Sequence, residues 1–286
     1  MNLLRIVSIL SAAFTLAAAA ENPFGVFDFD LRGDDPAAQI HSLDGIGFAG
    51  ITVSLQSAKD LAKLDAYQQA KPDLKVFAAL YYIDHSKPAN FKSDHFRKAV
   101  KKLASLNAKV WLILSGPKGS PDAVVALVRE AADIAAAEKV GISIYPHHKT
   151  AVETAEEALV ILKKADRPNL TISVHQCHEL RRGNVNRLDE VMTAVGPYMD
   201  IVTICGSNRN TNYESQDWND AIKPLGEGDY DPKEFLRALK RHNFKGPIIL
   251  HTFGLKNRPA DHYRKSYELF RKMKSEVDSE NPSPAP

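Results

Sequence analysis

The stretch Ile144–His178, IYPHHKTAVETAEEALVILKKADRPNLTISVHQCH, contains one full repeat of the pattern that decides the fold. It opens on the end of an aliphatic run at 141–145, continues with apolar residues at helical spacing over 151–165, and closes on a β-branched run at 171–175. The same unit recurs outward in both directions. Strand-type runs lie at 24–29, 50–55, 75–82, 110–114, 201–205 and 247–251, and helical spacing fills 60–70, 91–105, 121–138, 185–194, 232–241 and 261–274. Only the connection 34–48 is weakly helical. Two helix starts are marked: Ser120 precedes Pro121 and Asp231 precedes Pro232, each a cap residue before a proline at the first helical position.

Strands alternating with helices pair in parallel through right-handed crossovers. Eight such units in about 250 residues match a (β/α)8 barrel in count and length. An open doubly wound sheet would place a glycine-rich phosphate turn after the first strand, where FDFDLRGDD (Phe27–Asp35) stands instead. The fold class is therefore α/β, a single-domain (β/α)8 TIM barrel.

In such a barrel all strand C-termini meet at one face, and the chemistry sits there. The later strands end on Tyr145, His147 and His148, on His175 and His178, and on His251. Clustered imidazoles suit zinc, iron, nickel or copper better than magnesium. They equally suit hydrogen bonding to sugar hydroxyls or proton transfer near neutral pH. His178, His175 and Tyr145 are the catalytic candidates, His147 a substrate-binding one, and His175 and His251 the metal-ligand candidates. Asp28 and Asp30 flank Phe29, and alternation puts both carboxylates on one face, available to bind hydroxyls or act as bases; alternatively Asp30 pairs with Arg32 or caps the next turn. Tyr81, Tyr82, Asp84 and His85 are candidates for the cavity wall. The polar loop 206–219 after the seventh strand offers Arg209 and Trp218 for substrate binding. His148, beside Lys149, is expected to face solvent, and His41, His95, His242 and His262 read as structural.

Composition sets the frame. The chain has 286 residues, 44% hydrophobic and 25% charged, enough for one sizeable core. Residues 1–20 read as a cleaved export signal: a basic start, an apolar run over 6–16, and small residues before Glu21. The run falls short of the roughly 20 apolar residues that span a bilayer, so no stable membrane anchor is expected after cleavage. The barrel is expected over 21–278, and 279–286 (SENPSPAP) reads as a flexible tail. Loss of Arg5 takes the formal charge from +2 to +1, which gives no electrostatic reason to bind nucleic acid. Cys177 and Cys205 are either two buried thiols or, if their strands are neighbours, a disulfide pair.

Three stretches carry a family resemblance: Ile144–His178, PLGEGDYDPKEFLRAL (Pro224–Leu239) and FKGPIILH (Phe244–His251). Together they resemble the xylose-isomerase-like TIM barrels, a superfamily of sugar isomerases and epimerases that also includes the endonuclease IV type. The resemblance implies a divalent metal held by Glu on strand five, Asp on strand six, His on strand seven and Glu on strand eight. Here those places hold Tyr145, His175, the Thr203 to Cys205 region and His251, while His178 matches the His of the family's D-x-x-H motif, which contacts substrate. Removing three carboxylates strips a hard ion of its main attraction. The expectation is either one divalent transition metal (zinc, iron, nickel or manganese) on His175 and His251, helped by His178 or His147, or no metal. The implied function is an exported isomerase- or epimerase-like protein that moves a proton next to a carbonyl of a non-phosphorylated, small-molecule carbohydrate. The alternatives are a lyase or hydrolase on an oxidised sugar, or a non-catalytic carbohydrate-binding barrel.

Overall fold

A computed structural model describes residues 22–88, 91, 94–119 and 121–281. The expected export signal, the cap residue Ser120 and positions 282–286 of the expected tail lie outside the described residues. The strands are β1 (Phe24–Phe27), β2 (Ile51–Ser54), β3 (Val76–Asp84), β4 (Lys109–Ser115), β5 (Ile142–Ile144), β6 (Leu170–His175), β7 (Met199–Ile204) and β8 (Ile248–Leu250). They form a closed barrel in sequence order. Every neighbouring pair is parallel, and β1 closes on β8 through the pair Val26 and Leu250.

The outer shell comprises α1 (Pro36–His41), α2 (Ala58–Ala70), α3 (Asp94–Ser105), α4 (Pro121–Ala137), α5 (Ala155–Ala165), α6 (Gln176–Arg181), α7 (Leu188–Val195), α8 (Pro232–Arg241) and α9 (His262–Ser279). Caps explain several starts. Ser57 and Asp60 form a reciprocal capping box on α2, Thr154 accepts from the Glu157 N–H on α5, and Asp231 accepts from the Lys233 N–H on α8. The weakly helical first connection forms the short helix α1, capped by Asp35. The helix expected over 185–194 divides into a 3-10 turn, Asn184–Asn186, and α7, and α9 runs on to Ser279. Among the described residues no helix is long and apolar enough to cross a membrane.

Strand parity builds two cores. Outward residues such as Val26, Val53, Leu112, Ile144, Val174 and Leu250 pack under the helices. Inward residues fill the barrel in layers. At the N-terminal end Asp200 accepts from Ser143 Oγ, Thr171 Oγ1 and Lys109 Nζ, each at 2.6 Å. Phe27, Phe77, Leu80, Trp111, Ile113 and Ile249 form the apolar middle. Imidazoles occupy the C-terminal end.

Candidate active site

β5 is short because Pro146 has no N–H to extend the ladder. Tyr145, the residue after the strand, therefore turns inward at its rim. Its ring lies on that of His175, with centroids 3.4 Å apart and planes 18° apart, and Trp111 meets it edge-on. His175 sits beneath, 1% exposed. Its Nε2–H donates to Ser173 Oγ at 2.7 Å, the serine hydroxyl in turn donating to the Ile144 carbonyl at 3.1 Å, and its Nδ1 accepts from Thr203 Oγ1 at 3.0 Å. Both ring nitrogens are thus committed, and Tyr145 covers the ring. This corrects the expectation for His175: it is neither a metal ligand nor a group that reaches substrate, but the support under Tyr145.

Above Tyr145 opens a cavity of about 270 Å³. Its aromatic wall is Phe29, Tyr82, Trp218 and Phe253, and its polar wall is Tyr145, His147, His178 and His251. Ser54, Leu80, Ile113 and Ile222 complete it, so among the described residues no ionised side chain lines the space. β6 passes straight into α6, which carries His178 over the cavity. His178 Nε2 and His251 Nε2 each lie 3.4 Å from Tyr145 Oη. The His147 ring packs on His178, centroids 4.4 Å apart, and Trp218 stands 5.2 Å from His178.

Burial and the proximity of other imidazoles set the charge. Desolvation lowers His251 to about 3 and His147 to about 4. It also holds His178 well below its ordinary value, with neighbouring histidines adding to the effect. The Tyr145 phenol is pushed up, first by burial. At neutral pH the site is uncharged.

The partner of each Nδ1 fixes its tautomer. His178 Nδ1 accepts from the His148 N–H at 3.3 Å and His251 Nδ1 accepts from the Phe253 N–H at 3.4 Å, so both carry their proton on Nε2. His147 is the reverse: its Nδ1–H donates to the His148 carbonyl at 3.0 Å, which leaves the lone pair on Nε2.

Cys177, His178 and His251 are the one described group of three possible ligands, their ligand atoms within 4.8 Å of one another. The arrangement does not fit a divalent metal. A ligating histidine normally donates its second N–H to an acceptor, whereas here the second nitrogens of His178 and His251 face backbone donors. Among the described residues no carboxylate lines the cavity, and the Cys177 thiol shares a hydrogen bond with Cys205, whose own thiol is pushed up by that contact and by burial.

The remaining candidates divide. Trp218 and His147 line the cavity. Asp28 does not. It faces the helices, accepting from Lys63 Nζ at 2.8 Å and Tyr67 Oη at 3.5 Å, because the inward parity of β1 belongs to Phe27 and Phe29. Asp30 is also corrected: its backbone is left-handed (φ 58), and its carbonyl accepts from Tyr263 Oη at 2.8 Å outside the cavity. Arg32 donates instead to the Lys256 and Arg258 carbonyls. Arg209 is drawn away by Glu234, at 2.7 and 3.2 Å, and lies against α8. Of the expected wall residues only Tyr82 reaches the cavity. Tyr81 faces Phe96, Asp84 accepts from Ser86, and His85 bonds to the Pro117 carbonyl. His148 is buried against Tyr213 and Trp218 rather than facing solvent. Cys177 and Cys205 are free thiols in one small core.

Arg181 has no sequence signature, yet it holds the β7 loop. Fully buried, it donates to the Asn212 and Asp217 carbonyls and to Asp220, and its guanidinium lies 4.1 Å from the Trp218 ring centre.

The family model described as xylose isomerase-like TIM barrel matches residues 43–273. No curated protein matches the chain in sequence. Among solved structures, a D-allulose 3-epimerase from Methylomonas sp. is similar with a TM-score of 0.69 at 19% identity, over 89% of this chain and 98% of that one. A 3-keto-D-glucoside 4-epimerase from E. coli gives 0.67 at 15% identity, over 88% and 100%. An IolI protein with a bound zinc atom gives 0.70 at 16% identity, over 90% and 100%. At these identities the likeness is one of fold.

Proposed function

Since the chain belongs to the xylose isomerase-like TIM barrel family, we propose that its barrel mouth takes an uncharged, non-phosphorylated carbohydrate and, in the manner of a sugar isomerase or epimerase, moves a proton next to its carbonyl. One observation carries this reading: a cavity of monosaccharide scale walled by aromatic faces and three neutral imidazoles, with no ionised side chain among the described residues that line it. Aromatic faces pack on the C–H face of a sugar ring, and neutral imidazoles give and accept hydrogen bonds with its hydroxyls. A phosphate or carboxylate would enter without a cation to pair it, at a large desolvation cost. The lyase and hydrolase readings on an oxidised sugar are weakened for that reason. The neighbours named as epimerases of uncharged sugars support the same class. The basic and apolar character of residues 1–16 extends the reading to a protein that works outside the cytoplasm.

A second reading, a non-catalytic carbohydrate-binding barrel, is favoured by the low basicity that burial gives His147 and His251. Calorimetric titration of residues 21–286 with uncharged aldoses and ketoses, and with their phosphate esters, tests the class. Binding of at least one uncharged sugar is expected, weakened about tenfold in Trp218→Ala through loss of the stacking face. Tighter binding of the phosphate ester would overturn it.

A further inference from the structure

The tautomers of the three cavity histidines divide their roles. Two Nε2–H groups, from His178 and His251, converge on Tyr145 Oη at 3.4 Å each. They fill the acceptor capacity of the phenol oxygen and leave its own hydrogen as the donor that faces a ligand. Donors placed on that oxygen strengthen the O–H as a donor and would stabilise a phenolate once the proton has moved. Contacts of this length are expected to tighten around substrate. His147 alone keeps a lone pair on Nε2, because its Nδ1–H is spent on the His148 carbonyl. This site has a polarised phenol and one base.

We propose that the mouth is a metal-independent aldose–ketose isomerase site, in which Tyr145, held by His178 and His251, is the electrophile at the sugar carbonyl and His147 is the single base. This deepens the reading above and rests on it. In the first half-step His147 Nε2 takes the proton from the carbon beside the carbonyl. The C–H electron pair becomes the C=C bond of an enediol, and the carbonyl oxygen takes the Tyr145 proton. The phenolate left behind is held by the two Nε2–H groups. In the second half-step the phenolate removes the proton of the neighbouring hydroxyl, that oxygen becomes the new carbonyl, and His147 returns its proton to the adjacent carbon on the same face. Atoms and electrons balance with no co-reactant. A single base serves transfer between adjacent carbons on one face, whereas epimerisation would need a proton delivered to the opposite face, and neither of the other two cavity histidines has a free ring lone pair to serve as a second base.

The first test needs no substrate. Long-range 15N–1H spectra of histidine-labelled residues 21–286, assigned with single variants, should show Nε2–H tautomers for His178 and His251 and Nδ1–H for His147 at pH 7. Equilibrium dialysis of the same protein against zinc or manganese should leave it without stoichiometric metal. An Nδ1–H tautomer at His178 or His251, or about one equivalent of metal lost in His251→Ala, would overturn the electrophile assignment. In turnover, Tyr145→Phe should lower kcat by about 10²-fold to 10³-fold with KM little changed, as loss of one preorganised donor does. His147→Gln should abolish exchange of the substrate C–H with solvent deuterium. Product of inverted configuration at one carbon, in place of a shifted carbonyl, would contradict the one-base assignment. If the tautomers are as stated but no uncharged sugar binds, the carbohydrate reading fails and the metal-independent geometry stands.

Discussion

At the residue scale, the C-terminal end of the barrel is governed by neutral histidines, and that neutrality has a stability signature. His251 falls to about 3 and His147 to about 4 in the folded chain, against 6.5 in the unfolded one. Between those values the unfolded chain binds more protons, so their contribution is fully present above pH 6.5 and is lost as the pH falls toward 3. Glu179 works in the opposite sense. Burial raises it from 4.5 to about 7, so stability linked to it falls as the pH rises through that window. The unfolding free energy from urea titrations should therefore drop between pH 6.5 and 4, by at most about 1.4 kcal/mol per pH unit for each buried histidine, and His251→Gln should flatten the slope. An unchanged slope in that variant would show that His251 is not desolvated. The sequence made legible which histidines gather at the rim, but not which nitrogens they expose. His175 and His178 are three positions apart and look equivalent in the chain, yet a strand end buries one under Tyr145 while the first turn of a helix lifts the other into the cavity.

At the element scale, the eight strands and most helices were readable because their apolar period follows from two-sided burial, with caps such as Asp231–Pro232 marking the starts. α6 was not readable. All six of its residues are buried, four of them charged or polar, so QCHELR has no apolar stripe to detect. The face of β1 is ambiguous in the sequence for a related reason: both parities of FDFD offer a plausible inward set, and only closure against β8 selects Phe27 and Phe29. α6 also supplies Arg181, which secures the loop that presents Trp218. Arg181→Met should free that loop, raising its proteolytic cleavage rate and weakening sugar binding about tenfold while the barrel stays folded. Arg181→Lys should not restore it, because an ammonium cannot replace a planar fork stacked on an indole. Wild-type loop protection in Arg181→Met would refute this role.

At the scale of the whole molecule, the two barrel ends are separable. Asp200, with Lys109, Ser143 and Thr171, closes the N-terminal end with charge-assisted bonds, far from the neutral site at the other end. Asp200→Ala should cost about 2 kcal/mol in urea denaturation by stranding these donors, with sugar binding unchanged. A loss of affinity comparable to the loss of stability would show instead that the ends are coupled. The family and barrel were legible from repeat order and strand-end motifs, whereas the wall of the cavity was not, since Phe29, Ser54, Leu80, Ile113, Ile222 and Phe253 are ordinary core residues until the barrel closes around them. The most direct measurement is deuterium exchange in chelator-treated residues 21–286, dissolved in D2O with a panel of uncharged aldoses and ketoses and followed by 1H NMR. The account predicts exchange at the carbon beside the carbonyl of at least one of them, undiminished by chelator. Exchange that appears only when a divalent metal is added, or only with phosphorylated sugars, would contradict it.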